Sequence, residues 1–242
     1  MLKRLVASAM LIAALCATGA HAENTLPLPD NLTGFSTRDG EVYFGESDAR
    51  EAYFPLADNF LTQKTQAYCG VASIVMVLNA LGVPAPAVPQ YEPYRTFTQD
   101  NVLDEQTDKV LPRETLARQG MTLDQIGGIL ALEPVKAEVH HASDSSVEEF
   151  RKLASAYLRE KGHFVIVNYL RKALGEQMGG HISPLAAYDA KTDRFLILDV
   201  ARYKYPPVWV KAPDMFAAMN TPDAANDNKS RGFVLVTAAA AQ

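Results

Sequence analysis

Tyr68-Cys69-Gly70-Val71-Ala72-Ser73-Ile74-Val75-Met76-Val77-Leu78-Asn79-Ala80-Leu81-Gly82-Val83-Pro84 holds the most apolar run of the chain after residue 22. From Val71 to Leu81 it is hydrophobic nearly all round, and Gly82 and Pro84 then stop it. A run of about three turns closed by helix-stop residues predicts a buried central helix rather than a strand. Cys69 stands at the start of that helix, where free N–H groups and the helix dipole favour a thiolate.

Working outward, helical signals dominate the first part of the chain. Ser47 to Phe60 reads as a helix opened by Ser47 or Asp48, after a Pro- and Asn-bearing lead-in over Glu23 to Thr37. Pro84 to Leu103, rich in Pro, Tyr and Gln, reads as a long ordered loop. Thr122-Leu-Asp-Gln125 is a capping box opening a helix to Leu132. Ser145 and Ser146 open another, with Val147, Phe150, Ala154, Tyr157 and Leu158 inward. Strand-like runs follow at His163–Tyr169, His181–Tyr188, Arg194–Val200, Val208–Lys211 and Gly232–Thr237, with a turn at Lys191-Thr192-Asp193. Helices first and strands later predict an α+β fold, a helical half packed on an antiparallel sheet.

The chain opens with Lys3 and Arg4, an apolar Leu5–Leu15 too short to span a bilayer, and small residues at Ala20-His21-Ala22. Residues 1–22 are therefore expected to be a removed export signal, with residues 23–242 forming one domain in the periplasm. Cys16 raises lipidation, against which the bulky Leu15 before it argues. Loss of the signal removes two basic and no acidic residues, taking the net charge from −5 to −7. An acidic chain without Lys/Arg clusters argues against nucleic acid and against anionic membrane surfaces.

Of the two cysteines, only Cys69 lies beyond residue 22. A lone thiol has no partner for an internal disulfide, so it is either an inert core residue or a nucleophile. His181, after Gly179-Gly180, begins one strand, and Asp199 ends the next. A hairpin centred near residue 190 brings the two face to face, so that the carboxylate orients the imidazole toward a thiol. Gln63, six residues before Cys69, supplies a side-chain amide for an oxyanion. Singly, each residue has an ordinary structural explanation; together they describe an active site for acyl transfer. His140-His141 lacks the ligand spacing of a metal site, and His163 reads as structural.

Gln66-Ala-Tyr-Cys-Gly-Val-Ala-Ser73, Asn168-Tyr-Leu-Arg171, Gly179-Gly-His-Ile-Ser-Pro-Leu-Ala-Ala-Tyr188, Arg194-Phe-Leu-Ile-Leu-Asp-Val200 and Arg202-Tyr-Lys-Tyr-Pro-Pro-Val-Trp-Val210 resemble phytochelatin synthase. The likeness extends from about Pro27 to Thr237. It implies a papain-like thiol peptidase fold, a triad of Cys69, His181 and Asp199, and Gln63 at the oxyanion position. The separation of 112 residues between Cys69 and His181 is shorter than the roughly 130–150 of papain-type enzymes, and Asp replaces their Asn. With no cysteine after Cys69, the chain resembles the short bacterial form, in which glutathione hydrolysis outweighs polymer synthesis.

The resemblance implies attack on the Cys–Gly bond of glutathione and a γ-Glu-Cys thioester resolved by water or by a second glutathione. No cofactor is expected for the chemistry; heavy-metal ions such as Cd or Zn enter as glutathione thiolates, and a homodimer is one expectation for assembly. Arg202 and Arg231 are candidates for the glutamyl carboxylate, with Tyr205, Tyr188 and Gly180 lining the same cleft. Two alternatives stand beside this reading: a periplasmic peptidase or amidase on other peptides, and a non-catalytic binder of glutathione–metal complexes.

Overall fold

The computed structural model describes residues 25–239. The expected export signal and Cys16 lie outside that range. In chain order the elements are β1 (Thr33–Gly34), α1 (Arg38–Glu46), α2 (Tyr53–Asp58), α3 (Cys69–Ala80), α4 (Thr107–Val110), α5 (Arg113–Gln119) and α6 (Leu123–Leu130). There follow β2 (Val135–His141), α7 (Val147–Arg159), β3 (His163–Leu170), β4 (Gly180–Asp189), β5 (Arg194–Ile197), β6 (Val208–Lys211), α8 (Ala212–Met219) and β7 (Gly232–Ala238). The α+β expectation is met: the strands form one seven-stranded antiparallel sheet in the order β1-β6-β5-β4-β3-β7-β2.

The predicted central helix is α3, whose residues from Cys69 to Leu78 are all buried. Its C-cap is Leu81, and Gly82 follows with φ +67°, a left-handed conformation that glycine adopts without steric cost. The Thr122 capping box opens α6, with Thr122 Oγ1 accepting from Gln125 N and the Gln125 side chain accepting from Thr122 N. Ser146 caps α7 by accepting from Glu149 N.

One helix differs from expectation. Thr37 caps α1 by accepting from Gly40 N, and Ser47 ends that helix rather than opening the next, its hydroxyl donating to Tyr43 O. The stretch expected to be helical from Ser47 to Phe60 is helical only at α2. Serine serves either end of a helix through the same short side chain, so a Ser-Asp pair does not by itself fix direction.

Helices cover both faces of the sheet. Adjacent residues of a strand point to opposite faces. On β7, the Gly232 position lies against Leu123 of α6 whereas Phe233 packs at a tilt against Phe150 of α7, 5.1 Å between ring centroids. Helix α3 packs on β4 and α6 on β2 and β7, while α7 and α8 pack on β3 from the other side. Among the described residues no helix is long and apolar enough to cross a membrane. The site lies where β4 begins and α3 begins.

Candidate active site

Gly70 explains how α3 approaches the sheet so closely. A Cβ there would stand 2.9 Å from Met121 Sδ and 3.2 Å from Ile182 Cδ1, so only glycine lets the helix start settle against β4. Ser73 Oγ ties the same junction, donating to Cys69 O at 2.8 Å and lying 3.3 Å from Ile182 O. Cys69 thereby reaches the floor of a cavity of about 350 Å³ that His181 also lines.

His181 is fixed from several sides. Its Nε2 lies 2.8 Å from Asp199 Oδ1 and 3.0 Å from Ser183 Oγ. Tyr169, its cross-strand partner on β3, packs edge-on against the imidazole with centroids 5.6 Å apart. Nδ1 is thus the nitrogen left for a thiol or an amine.

The route by which Asp199 arrives differs from a simple hairpin. The turn is centred later, with Asp189 opposite Arg194, and its Oδ2 accepts from Thr192 N. A bulge between Leu185 and Ala187 then shifts the register, and β5 ends at Ile197. The chain leaves the ladder with Val200 N donating to Ser183 Oγ, and this departure swings Asp199 onto His181.

Arg171, which the residue-by-residue reading of the sequence passed over, completes the assembly. It is buried; its Nη2 lies 2.9 and 2.7 Å from the two Asp199 oxygens, and its Nη1 pairs with Glu176. Its guanidinium stacks over Tyr205 at 5.1 Å, and the Tyr205 hydroxyl accepts from Gln177 N. Tyr205 therefore supports Arg171 and does not line the cavity, contrary to expectation.

Burial sets the protonation states. It pushes the Cys69 thiol up to about 11, against the backbone N–H of Gly70, the Ile182 backbone and the Arg171 charge, which favour the thiolate. Burial also holds His181 below its ordinary value, opposed by Asp199. Asp199 goes the other way: desolvation opposes its charge, but His181 and Arg171 hold it down to about 2. Both shifts favour the neutral forms, a thiol on Cys69 and an uncharged imidazole on His181. Desolvation outweighs the helix-start effect that predicts a thiolate.

Gln63 lines the cleft beside His181 with its amide already bonded. Its Nε2 donates to Thr65 O at 2.7 Å and to Tyr203 Oη at 3.0 Å, while its buried Oε1 has no partner among the described residues. It lines a smaller adjoining cavity of about 110 Å³, which shares Gln66, Gly180 and His181 with the first. Service at an oxyanion requires exchange of one of those two bonds.

The remaining candidates divide. Arg231 and Gly180 line the larger cavity. Arg231 Nη1 donates to Thr221 O, Thr221 Oγ1 and Pro222 O, its Nη2 lies 3.5 Å from Asp223 Oδ1, and its buried Nε has no partner among the described residues. Asn168, also lining this cavity, is 2% exposed and its Nδ2 is likewise unpartnered. Asn168 and Asp223 were missed, although a lone amide inside the apolar run His163–Leu170 was the visible signal for the first. Two candidates are corrected. Arg202 is exposed and stacks on Phe60 at 4.6 Å, outside both cavities, because the chain turns outward after Ala201. Tyr188 lies far along β4, its hydroxyl donating to Asp193 in the hairpin at 2.8 Å.

His140-His141 has a structural role. His141 Nε2 lies 2.7 Å from Asp124 Oδ1 and Nδ1 2.6 Å from Ser230 O, tying the loop before Arg231 to α6. Lys229 Nζ adds a 2.8 Å bond to Asp124 Oδ2.

Comparison with known proteins finds relatives along most of the chain. The chain is 33% identical over 216 residues to glutathione gamma-glutamylcysteinyltransferase 1 of Arabidopsis thaliana, covering 88% of this chain and 43% of that protein. It is 36% identical over 215 residues to the protein of the same name from Lotus japonicus, covering 88% and 41%. To the glutathione gamma-glutamylcysteinyltransferase of Schizosaccharomyces pombe it is 30% identical over 212 residues, covering 86% and 50%. The chain spans about half the length, or less, of these relatives. A family profile described as phytochelatin synthase matches residues 23–233, and the chain belongs to that family.

Proposed function

We propose that this domain is a thiol-dependent acyltransferase that cleaves the Cys–Gly bond of glutathione. The observation that carries the reading is the shared cavity of Cys69 and His181, with His181 Nε2 2.8 Å from Asp199 Oδ1. We read the arrangement as papain-like.

The neutral resting pair defines the first step. The Cys69 thiol gives its proton to His181 Nδ1 as its sulfur bonds to the carbonyl carbon of the Cys–Gly amide. The oxyanion takes the Cys69 backbone N–H and, after its bond to exposed Tyr203 is exchanged, the Gln63 amide. The tetrahedral species collapses with cleavage of the C–N bond, and His181 returns its proton to the departing glycine amine. A γ-Glu-Cys thioester remains on Cys69. His181 then takes a proton from water, giving γ-Glu-Cys, or from the α-amine of a second glutathione, giving (γ-Glu-Cys)2-Gly. The imidazolium is stabilised by Asp199, which Arg171 keeps ionised and aligned.

The head of the substrate is an α-amino acid, and the larger cavity offers its complement. The unpartnered Arg231 Nε and Asn168 Nδ2 suit the α-carboxylate, and Asp223 suits the α-ammonium. Cadmium or zinc enters in this proposal as a glutathione thiolate, hence as part of the substrate. We further propose that residues 1–22 direct the protein to the periplasm.

Glycine release from glutathione by the purified protein tests the reading. Cys69→Ala is expected to abolish it, and mass analysis of products with and without a cadmium salt apportions hydrolysis and transfer. Glycine release that persists in Cys69→Ala would refute the mechanism.

A further inference from the structure

Gln63 reaches an oxyanion only by giving up a bond it already has. Its Nε2 carries two hydrogens, and both are taken, one by Thr65 O at 2.7 Å and one by Tyr203 Oη at 3.0 Å. The amide does not turn over, because a carbonyl oxygen at 2.7 Å is met by an N–H and not by a second oxygen. The bond to Thr65 joins residues two apart in one loop, whereas Tyr203 comes from a distant segment and is 49% exposed. The bond to Tyr203 is therefore the one that a substrate exchanges.

Although exposed, Tyr203 is carried on a fixed backbone. The turn beneath it is closed by Lys204 N and Tyr205 N, which both donate to Ala201 O, at 2.7 and 3.2 Å. Gln63 N donates to Val200 O at 2.9 Å, so the two segments are joined through the main chain as well as through the side chains. Tyr203, Gln63 and His181 line the smaller cavity, which meets the larger one along Gln66, Gly180 and His181. A phenol accepts and donates. In the empty protein this one accepts from Gln63, and its own O–H donates to none of the described residues.

An oxygen that displaces the phenol from Gln63 comes within hydrogen-bond range of Gln63 Nε2, and so beside the phenol it displaced. A carbonyl oxygen gaining charge there meets an uncommitted phenolic proton. We propose that Tyr203 is a third oxyanion donor, beside Gln63 and the Cys69 N–H, its hydroxyl turning from acceptor of the Gln63 amide to donor to the tetrahedral oxygen. The proposal rests on the glutathione reading above. The phenol keeps its proton throughout, so no bond to hydrogen is broken. A hydrogen bond to an anion is stronger than one between neutral groups, so the exchange becomes favourable as charge develops and acts on the transition state. The same oxygen is charged again when water or an amine attacks the thioester, so Tyr203 serves both halves of the reaction.

The test compares the purified wild type, Tyr203→Phe, Gln63→Ala and the double variant in steady-state release of glycine from glutathione, with thermal unfolding of each. Tyr203→Phe keeps the ring and the turn, so it is expected to unfold at the wild-type midpoint. It is expected to lose about 10²-fold in kcat, the lower end for removal of one oxyanion donor, with KM within about twofold. A donor that touches the oxyanion itself still counts without Gln63, so Tyr203→Phe is expected to cost about tenfold or more in the Gln63→Ala background as well. A Tyr203→Phe enzyme as fast as the wild type, or faster, makes the phenol a mere placeholder for the substrate oxygen and overturns the proposal. A loss that vanishes in the Gln63→Ala background overturns it too, since Tyr203 then acts only by positioning Gln63. So does a loss confined to KM, or one matched by loss of folded protein. No glycine from glutathione in the wild type sinks the glutathione reading itself.

Discussion

Arg171 grips Asp199 through one nitrogen that lies 2.9 and 2.7 Å from both carboxylate oxygens, while Oδ1 also meets His181 Nε2. The carboxylate is fully buried and further accepts from Ala201 N at 2.8 Å. Its direction is set by the protein interior before any substrate arrives.

Removing that grip leaves Asp199 and Glu176 as buried carboxylates without their cation. Arg171→Leu is expected to cost about 3–5 kcal/mol of stability, the scale for breaking one side of a buried ion pair. Arg171→Lys keeps the charge but not the planar fork, so it is expected to fold and to lose about 10²-fold in kcat through misdirection of the imidazole. Denaturant unfolding and steady-state kinetics of the two variants check this. An Arg171→Lys enzyme with wild-type kcat shows that Asp199 needs no alignment.

The protonation states give the activity a particular pH profile. His181 must be neutral to accept the thiol proton, and burial holds its pKa below its ordinary 6.5. The thiol, pushed up to about 11, stays protonated across the neutral range. kcat/KM is therefore expected to rise on an acid limb with its midpoint below 6.5 and then to stay level through pH 9. A preformed thiolate–imidazolium pair instead loses activity on the alkaline side as the imidazolium deprotonates. A decline between pH 7.5 and 9 in stopped-time assays of glycine release excludes the neutral pair.

The helix at Cys69 was legible because nearly every residue of its run is apolar and its end is punctuated by Gly82 and Pro84. The Thr122 box was legible for a similar reason, since its signal lies within four residues. Direction around a turn is not local. Arg202 and Lys204 are two residues apart, yet one stacks outward on Phe60 and the other lines the cleft. Proximity in sequence to Asp199 favoured the wrong one. Arg171 carried no signal in composition or spacing either, because its partners lie 5 and 28 residues away and only the packed sheet unites them.

Glu176 gives stability a pH dependence of its own. Burial lifts its pKa from 4.5 to about 7, with Arg171 opposing. A carboxyl whose pKa is raised on folding stabilises the native state fully below its unfolded value, and that contribution is lost as pH rises to the folded one. Stability is thus expected to fall between pH 4.5 and 7. Asp199, held at about 2, works oppositely: its contribution is present above 3.8 and is lost as pH falls through 2. Glu176→Gln removes the first effect and keeps a bond to Arg171. Urea midpoints at pH 5 and pH 7.5 are expected to differ less in this variant than in the wild type; an unchanged difference assigns the pH dependence elsewhere.

Asn168 offers the sharpest separation of folding from function. Its Nδ2 is buried without a partner among the described residues, so the empty protein bears the cost of an unsatisfied amide, of order 1–3 kcal/mol. Leucine has nearly the shape of asparagine and no polar atoms. Asn168→Leu is therefore expected to unfold at equal or higher temperature than the wild type. If the amide meets the glutamyl carboxylate beside Arg231, the same variant raises KM for glutathione by about tenfold while kcat changes little, since the contact is made equally before and during the reaction. Calorimetry and steady-state kinetics on one preparation decide it. Greater stability with an unchanged KM assigns the amide no part in binding. Lower stability with an unchanged KM means that Asn168 serves the sheet, and that the carboxylate is held by Arg231 alone.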